Sequence, residues 1–181
     1  MTNLKTKYQK TVIPEMKKKF GYKNDLACPK ILKAVINIGT GKIKDDKQAI
    51  EEVIKILSLI SGQKPAARES KKAIAGFKTR IGMVIGYKVT LRGKRMYDFL
   101  DKFINVTLPR IRDFRGLNPK SIERGSLTVG FKEHTAFPEI INENIKGIFG
   151  LEVSLVSNAK SKDEALELFK LLGLPFKKTT C

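Results

Sequence analysis

His134 is the only histidine in the 181 residues, and Cys28 and Cys181 are the only cysteines. One imidazole and two thiols so far apart in sequence build neither a His-based triad nor a His/Cys metal cluster, nor a disulfide framework. Asp45-Asp46 and Glu51-Glu52 pair carboxylates as a divalent-cation site would. They also fall at the start of a helical pattern, where aligned backbone N–H groups favour acids, and that role is the expected one. Gly39-Thr40-Gly41-Lys42 has the residue types of a phosphate-binding loop, but its spacing lacks the Gly-Lys-Ser/Thr ending of a nucleotide-binding P-loop. What remains is a glycine turn that either offers amides to a phosphate or merely reverses the chain. The chemistry within reach is anion binding; no catalytic residue, metal or cofactor is expected, and the chain does not read as an enzyme.

The anion-binding side chains are abundant. Lys and Arg number 36 against 18 Asp and Glu, a formal charge of +18. The excess is unevenly placed: +7 over residues 1–33, zero over 34–61, +11 over 62–125 and zero over 126–181. Its densest part runs from Lys64 to Arg95, where Lys64, Arg68, Lys71, Lys72, Lys78, Arg80, Lys88, Arg92, Lys94 and Arg95 face a single acid, Glu69. An ordinary solvated surface mixes signs to limit self-repulsion. Phe77 and Tyr87 interleave with these cations and supply rings that can stack on bases or pack in a core. A second cluster, Arg110, Arg112 and Arg115, puts three guanidiniums within six residues, suited to forked phosphate contacts or to ion pairing with Asp113. No finger spacing, heptad or helix-turn-helix pattern is present, which ranks folded RNA above duplex DNA.

These side chains need elements to hold them. Leu4, Tyr8, Val12, Met16 and Phe20 recur every four positions and predict a basic N-terminal helix over about 3–20, disturbed at Pro14. Residues 31–38 alternate, with Leu32, Ala34, Ile36 and Ile38 on one face of a strand and Lys33 and Asn37 on the other. A helix follows over 47–59, stopped by Ser61-Gly62. Residues 63–82 read as a long basic loop, 83–91 as a strand, and 94–105 as a helix closed by Pro109. Strands are expected at 126–131 and 151–157, and Ser161 with Glu164 forms a capping box before a last helix. Strands with one polar face belong to a sheet covered on one side. The expected fold is therefore a single α+β domain over 1–181, a two-layer sandwich with a mostly antiparallel sheet, helices on one face and a long basic loop. No stretch is apolar enough to cross a bilayer and no signal peptide is evident, so a cytoplasmic protein is expected, with no membrane partner and no obligate homo-oligomer.

The motifs INIGTGK at 36–42, SGQKP at 61–65, SKKAIAGFKTRIGMVIGYKVTLRGKRMYDFL at 70–100, LPRIRDFRGLNPKS at 108–121, FPEI at 137–140 and NAKSKDEALELFKLLGLPF at 158–176 occur in order along the chain. Together they resemble the bacterial large-subunit ribosomal protein family called L-five, which binds 5S ribosomal RNA. The resemblance implies 5S rRNA contacts at Asn37, at the turn of Gly39, Thr40, Gly41 and Lys42, and on the N-terminal basic helix; Lys33, on the strand face of Asn37, and Lys64, Arg68, Arg92 and Arg95 of the basic stretch are expected as further rRNA-binding residues. It implies contact with peptidyl-site tRNA through Lys71, Lys72, Gly76, Phe77, Lys78 and Arg80, and RNA or intersubunit-bridge contact at Arg110, Arg112 and Arg115. The implied partners are 5S rRNA, large-subunit rRNA, peptidyl-site tRNA, neighbouring large-subunit proteins and a small-subunit bridge protein. Two features depart from the family: the segment after Ser121 is short, and Ser157-Asn158 stand where two threonines are usual. A nonribosomal RNA-binding or RNA-chaperone domain is the alternative reading.

Overall fold

The computed structural model describes residues 4–141 and 147–177. Asn3, at the start of the expected N-terminal helix, and Cys181 lie outside the described residues. The elements in chain order are α1 (Leu4–Lys7), α2 (Ile13–Phe20), β1 (Ile31–Gly39), α3 (Lys47–Ser61), β2 (Ala66–Glu69), β3 (Val84–Leu91), α4 (Gly93–Lys102), β4 (Ile122–Glu123), β5 (Ser126–Phe131), β6 (Leu151–Ser157) and α5 (Lys162–Leu172). The strands form one six-stranded antiparallel sheet in the order β2-β3-β1-β6-β5-β4, on which helices pack, an open α+β architecture. By contact the chain divides into two compact units. The first draws its described residues from 4–34, 91–129 and 154–177, the second from 35–90, 130–141 and 147–153.

In the first unit the N-terminal helix is interrupted at the place its proline dictates. Pro14 has no N–H to give to Lys10, and the residue before it, Ile13, donates instead to Tyr8, five residues back, making a wide π turn over Tyr8–Val12. A strict four-residue repeat drifts about 40° per step on a regular helix, so the five apolar residues would wind roughly 160° around it. One wide turn takes up about one residue and returns much of that drift. The result is a straight stripe in which Leu4, Tyr8, Val12 and Met16 are buried. The same device recurs before Pro109: Leu108 donates to Phe103 across a π turn over Phe103–Thr107, so the helix expected over 94–105 runs on from α4 through that turn into a 3-10 turn at Leu108–Arg110, which contains Pro109. Phe99 and Phe103 stack at 5.7 Å inside this run. Lys7 donates through Nζ to the carbonyl of Leu172 at 2.9 Å, fastening α1 to the end of α5.

In the second unit α3 buries Val53, Ile56, Leu57 and Ile60, capped by Asp46, whose carboxylate accepts from the Ala49 amide at 3.1 Å. That settles the structural use of one acid of the Asp45-Asp46 pair. Phe131 and Phe137 pack at 5.6 Å, and the 3-10 turn Pro138–Ile140 lies against α3.

Two details of the strands differ from simple alternation. Ala34, Ile36 and Ile38 are buried, but Leu32 is 41% exposed while Ile31 is buried, so β1 falls into step only at Ala34. In β3 the pairing with β2 skips Ile85, because Arg68 pairs with Gly86 and Glu69 with Val84. The carbonyl of this extra residue accepts from Thr40 N–H at 2.9 Å, and a Cβ on Gly86 would lie 3.0 Å from the Ile38 carbonyl.

Candidate nucleic-acid interface

The segment between β2 and β3 is a built hairpin. Ser70 N–H donates to the Met83 carbonyl at 2.8 Å and Gly82 N–H to the Ser70 carbonyl at 3.0 Å. Further out, Ile74 and Thr79 pair by two backbone bonds, 3.1 and 3.2 Å, around a tip of Ala75, Gly76, Phe77 and Lys78. Lys78 turns the chain with φ of 48°, and its amide bonds the Ala75 carbonyl at 2.9 Å. The long loop expected at 63–82 thus contains β2 and an ordered tip. Lys71, Lys72, Gly76, Phe77, Lys78 and Arg80 are all exposed on it. Phe77 is 73% exposed, which excludes core packing, and Ile74 and Ile81 are exposed nearby at 47% and 72%. A contribution with no sequence signal is Lys44, whose Nζ donates to the carbonyls of Phe77 at 3.3 Å and Lys78 at 2.5 Å. It places a cation where the tip's last carbonyls point.

The ten cations from Lys64 to Arg95 form no ion pair with any described residue, and all but Lys88 are exposed. They fall in both units: Lys64, Arg68 and those of the hairpin in the second, Arg92, Lys94 and Arg95 in the first. Unneutralised cations on ordered backbone are suited to a phosphate chain, since their own desolvation is small and each contact releases a counterion.

On β1, Lys33 and Asn37 are half-buried and lie on the face opposite Ala34, Ile36 and Ile38. Gly39, Gly41 and Lys42 are exposed in the turn that follows. Thr40 is different. It is fully buried, its amide is used by the Ile85 carbonyl and its carbonyl by Ile43, and its hydroxyl has no hydrogen-bond partner among the described residues. Its part in the turn is to anchor it to β3, leaving the flanking glycines and Lys42 outward.

Arg110, Arg112 and Arg115 are exposed, and none pairs with Asp113 or another described acid. Asp113 instead takes a left-handed backbone, φ 54°, that turns the segment. An open cleft of about 660 Å³ lined by Ser121, Glu123, Arg124, Ser126 and Thr128 lies in the first unit, its hydroxyls and one guanidinium unmarked by any motif. The two departures noted above have local explanations. β4 and β5 are joined by a tight turn with φ of 45° at Arg124 and 75° at Gly125, so the short segment closes as a two-residue hairpin. Ser157 donates to the Gly125 carbonyl at 2.5 Å, and Asn158 bonds Lys30 through both its side-chain oxygen, 2.6 Å, and its amide, 3.2 Å.

The titratable groups inside have structural work. His134 is 3% exposed, and its Nδ1 accepts from the Phe149 amide at 3.2 Å; burial lowers its pKa, against the pull of Glu133 and Glu52. Tyr8, whose hydroxyl donates to the Pro29 carbonyl at 3.1 Å, is pushed up to about 12 by burial. Burial also raises the Cys28 thiol. Burial works to raise the Glu164 carboxyl as well, but hydrogen bonds from the Lys160 amide, the Tyr22 hydroxyl and the Ser161 backbone amide outweigh it and hold the group low. Ser161 caps α5 by accepting from the Glu164 amide at 3.1 Å, and the Glu164 carboxylate accepts in return from the Ser161 backbone amide, as in a capping box, and from the Lys160 amide at 2.9 Å. No cluster of three metal-ligating side chains occurs among the described residues, nor any helix long and apolar enough to cross a membrane.

Comparison with known proteins gives one family over both units. Residues 24–80 match the family model described as ribosomal protein L5, and residues 84–176 match the model of the same ribosomal family's C-terminus. The large ribosomal subunit protein uL5 of Carboxydothermus hydrogenoformans is 51% identical over 97% of this chain and 99% of its own length. That of Dictyoglomus turgidum is also 51% identical, over 98% and 100%, and that of Halothermothrix orenii 47%, over 97% and 99%. With the glycine turn, the basic hairpin and the arginine segment all inside the matched range, the chain belongs to the ribosomal L5 family, the uL5 proteins of the large ribosomal subunit.

Proposed function

We propose that this protein anchors 5S rRNA in the large ribosomal subunit and extends its hairpin to the peptidyl-site tRNA. It works in the cytoplasm as part of the ribosome and catalyses nothing. The 5S contact is assigned to Lys33 and Asn37 on the polar face of β1, and to the turn at Gly39, Gly41 and Lys42, with Thr40 holding that turn from inside. Lys64, Arg68, Arg92 and Arg95 add phosphate contacts to 5S or large-subunit rRNA. The hairpin cations Lys71, Lys72, Lys78 and Arg80 take the tRNA backbone, with Gly76 allowing close approach and Phe77 offering a ring to the partner. Arg110, Arg112 and Arg115 take RNA, with neighbouring large-subunit proteins and a small-subunit bridge protein completing the surroundings.

The observation that carries this reading is the ordered hairpin with Phe77 at 73% exposure among cations that lack described acid partners. Such a tip is stable only in water or against a partner, and its charge selects a polyanion. The test separates its two ends. Lys33→Ala with Asn37→Ala is expected to weaken 5S rRNA binding by about tenfold with folding unchanged, two lost polar contacts. Lys78→Ala with Arg80→Ala is expected to leave 5S binding and subunit incorporation intact and to speed tRNA dissociation from the peptidyl site of reconstituted ribosomes. Loss of 5S binding by the second pair, with tRNA dissociation unchanged, would reverse the assignment.

A further inference from the structure

The arginine segment has little backbone bonding of its own. Ile111 N–H reaches the Leu108 carbonyl at 3.2 Å, and from there to Gly116 the chain turns on Asp113, φ 54°, and Gly116, φ 96°. Three long side chains on such a segment would sample many arrangements, and ordering them on a ligand costs free energy that a fixed backbone spares. What fixes it comes from sixty residues away. After α5 the chain lies alongside Leu117 in a short parallel ladder: Leu117 N–H donates to the Pro175 carbonyl at 2.8 Å, and Lys177 N–H donates to the Leu117 carbonyl at 2.9 Å. Leu117 and Leu174 are buried at the two sides of this seam. The approach is so close that a Cβ on Gly116 would lie 2.8 Å from the Lys177 nitrogen and 3.0 Å from the Phe176 carbonyl carbon. Glycine is thus required at 116 twice over, by its backbone angle and by its neighbour. The seam also delivers an exposed cation, Lys177, beside the end of the arginine segment; it has no ion-pair partner among the described residues.

We propose that the run Leu174–Lys177 is a positioning element for an RNA-phosphate site, clamping the segment that carries Arg110, Arg112 and Arg115 at Leu117 and adding Lys177 to its cations. The proposal rests on the RNA-binding reading above and gives that segment a defined ligand group, the phosphodiester backbone. Arg112 and Arg115 supply forked donors, and Lys177 adds a point charge from the other strand of the seam.

The experiment compares Gly116→Ala, Lys177→Pro, Lys177→Ala and the triple change Arg110→Ala, Arg112→Ala, Arg115→Ala in the full chain, with a 5S rRNA transcript as probe. Lys177→Pro removes a ladder donor together with the charge, whereas Lys177→Ala removes the charge alone, and neither disturbs a buried side chain. Two readouts are taken: affinity as a function of salt, and hydrogen exchange at the amides of Leu117, Leu174, Phe176 and, where it is not replaced by proline, Lys177. Gly116→Ala and Lys177→Pro are expected to speed exchange at the seam, to leave the strand amides protected, and to lower affinity by about five- to tenfold. Lys177→Ala is expected to leave exchange unchanged and to reduce the salt slope by about one counterion. The decisive result is the combination: adding Gly116→Ala to a chain that already carries the triple arginine change and Lys177→Ala is expected to cost no further affinity, because the clamp acts only through those four side chains. A merely structural glycine would add its full loss on top. That additivity, or fast seam exchange with affinity unchanged, overturns the proposal. If the parent chain itself fails to bind 5S rRNA, the RNA reading falls, while seam exchange still reports whether the run clamps the segment.

Discussion

At the scale of single residues, His134 illustrates how a functional-looking group becomes part of the framework. Its ring accepts the Phe149 amide and lies near that phenyl ring at 5.9 Å. Burial keeps it neutral, so its folded pKa lies below the ordinary 6.5. As pH falls below about 6.5 the unfolded chain takes up a proton that the folded chain refuses, and stability falls with it; above that pH the contribution is constant. Urea midpoints measured between about pH 8 and pH 5 should decline below 6.5, and His134→Phe should flatten that decline while lowering stability throughout by about 1 kcal/mol for the orphaned amide. Whether a lone histidine is catalytic or internal was decidable from sequence only by elimination. The role of Lys44 was not decidable at all, because its partners are carbonyls more than thirty positions away and a backbone acceptor leaves no mark on residue type.

At the scale of elements, local signals carried far and non-local ones did not. Every longer helix and strand was legible because its apolar period is 3.6 or 2, and its glycine or proline stop lies beside it. The π turn at Tyr8–Val12 was also legible in principle, since a spacing of four sustained over five apolar residues does not suit an uninterrupted α-helix. Leu32 misled because the slip between Ile31 and Ala34 is set by what covers Ile31, and nothing local reports that. The two-residue β4 is too short to have a period. Its hairpin makes a sharp prediction. Gly125 has φ of 75°, and a Cβ there would lie 2.6 Å from the Ala159 carbonyl. Gly125→Ala should cost about 2–4 kcal/mol from backbone strain and overlap together, read as a shift in urea midpoint. Arg124→Gly, which relieves a left-handed non-glycine residue in the same turn, should stabilise slightly or be neutral.

For the molecule as a whole, +18 on 181 residues is a statement about association before it is one about structure. Affinity for 5S rRNA should fall steeply with salt, with release of roughly 4–8 counterions, and a nearly flat plot of log affinity against log salt would contradict the phosphate contacts assigned above. The first unit has another consequence, which concerns time. It is assembled from the earliest and the latest parts of the chain, and α5 packs against the π turn at Tyr8–Val12 and against α2. At ordinary translation speeds roughly 8–30 s separate the making of Met16 from that of Leu168. Throughout that interval a strip of Leu4, Tyr8, Val12 and Met16, flanked by lysines, has no α5 to cover it. A product that stops early therefore keeps the charge that draws it to RNA but lacks the helix that closes its core. Completion of synthesis itself separates a chain fit for assembly from a sticky polycation.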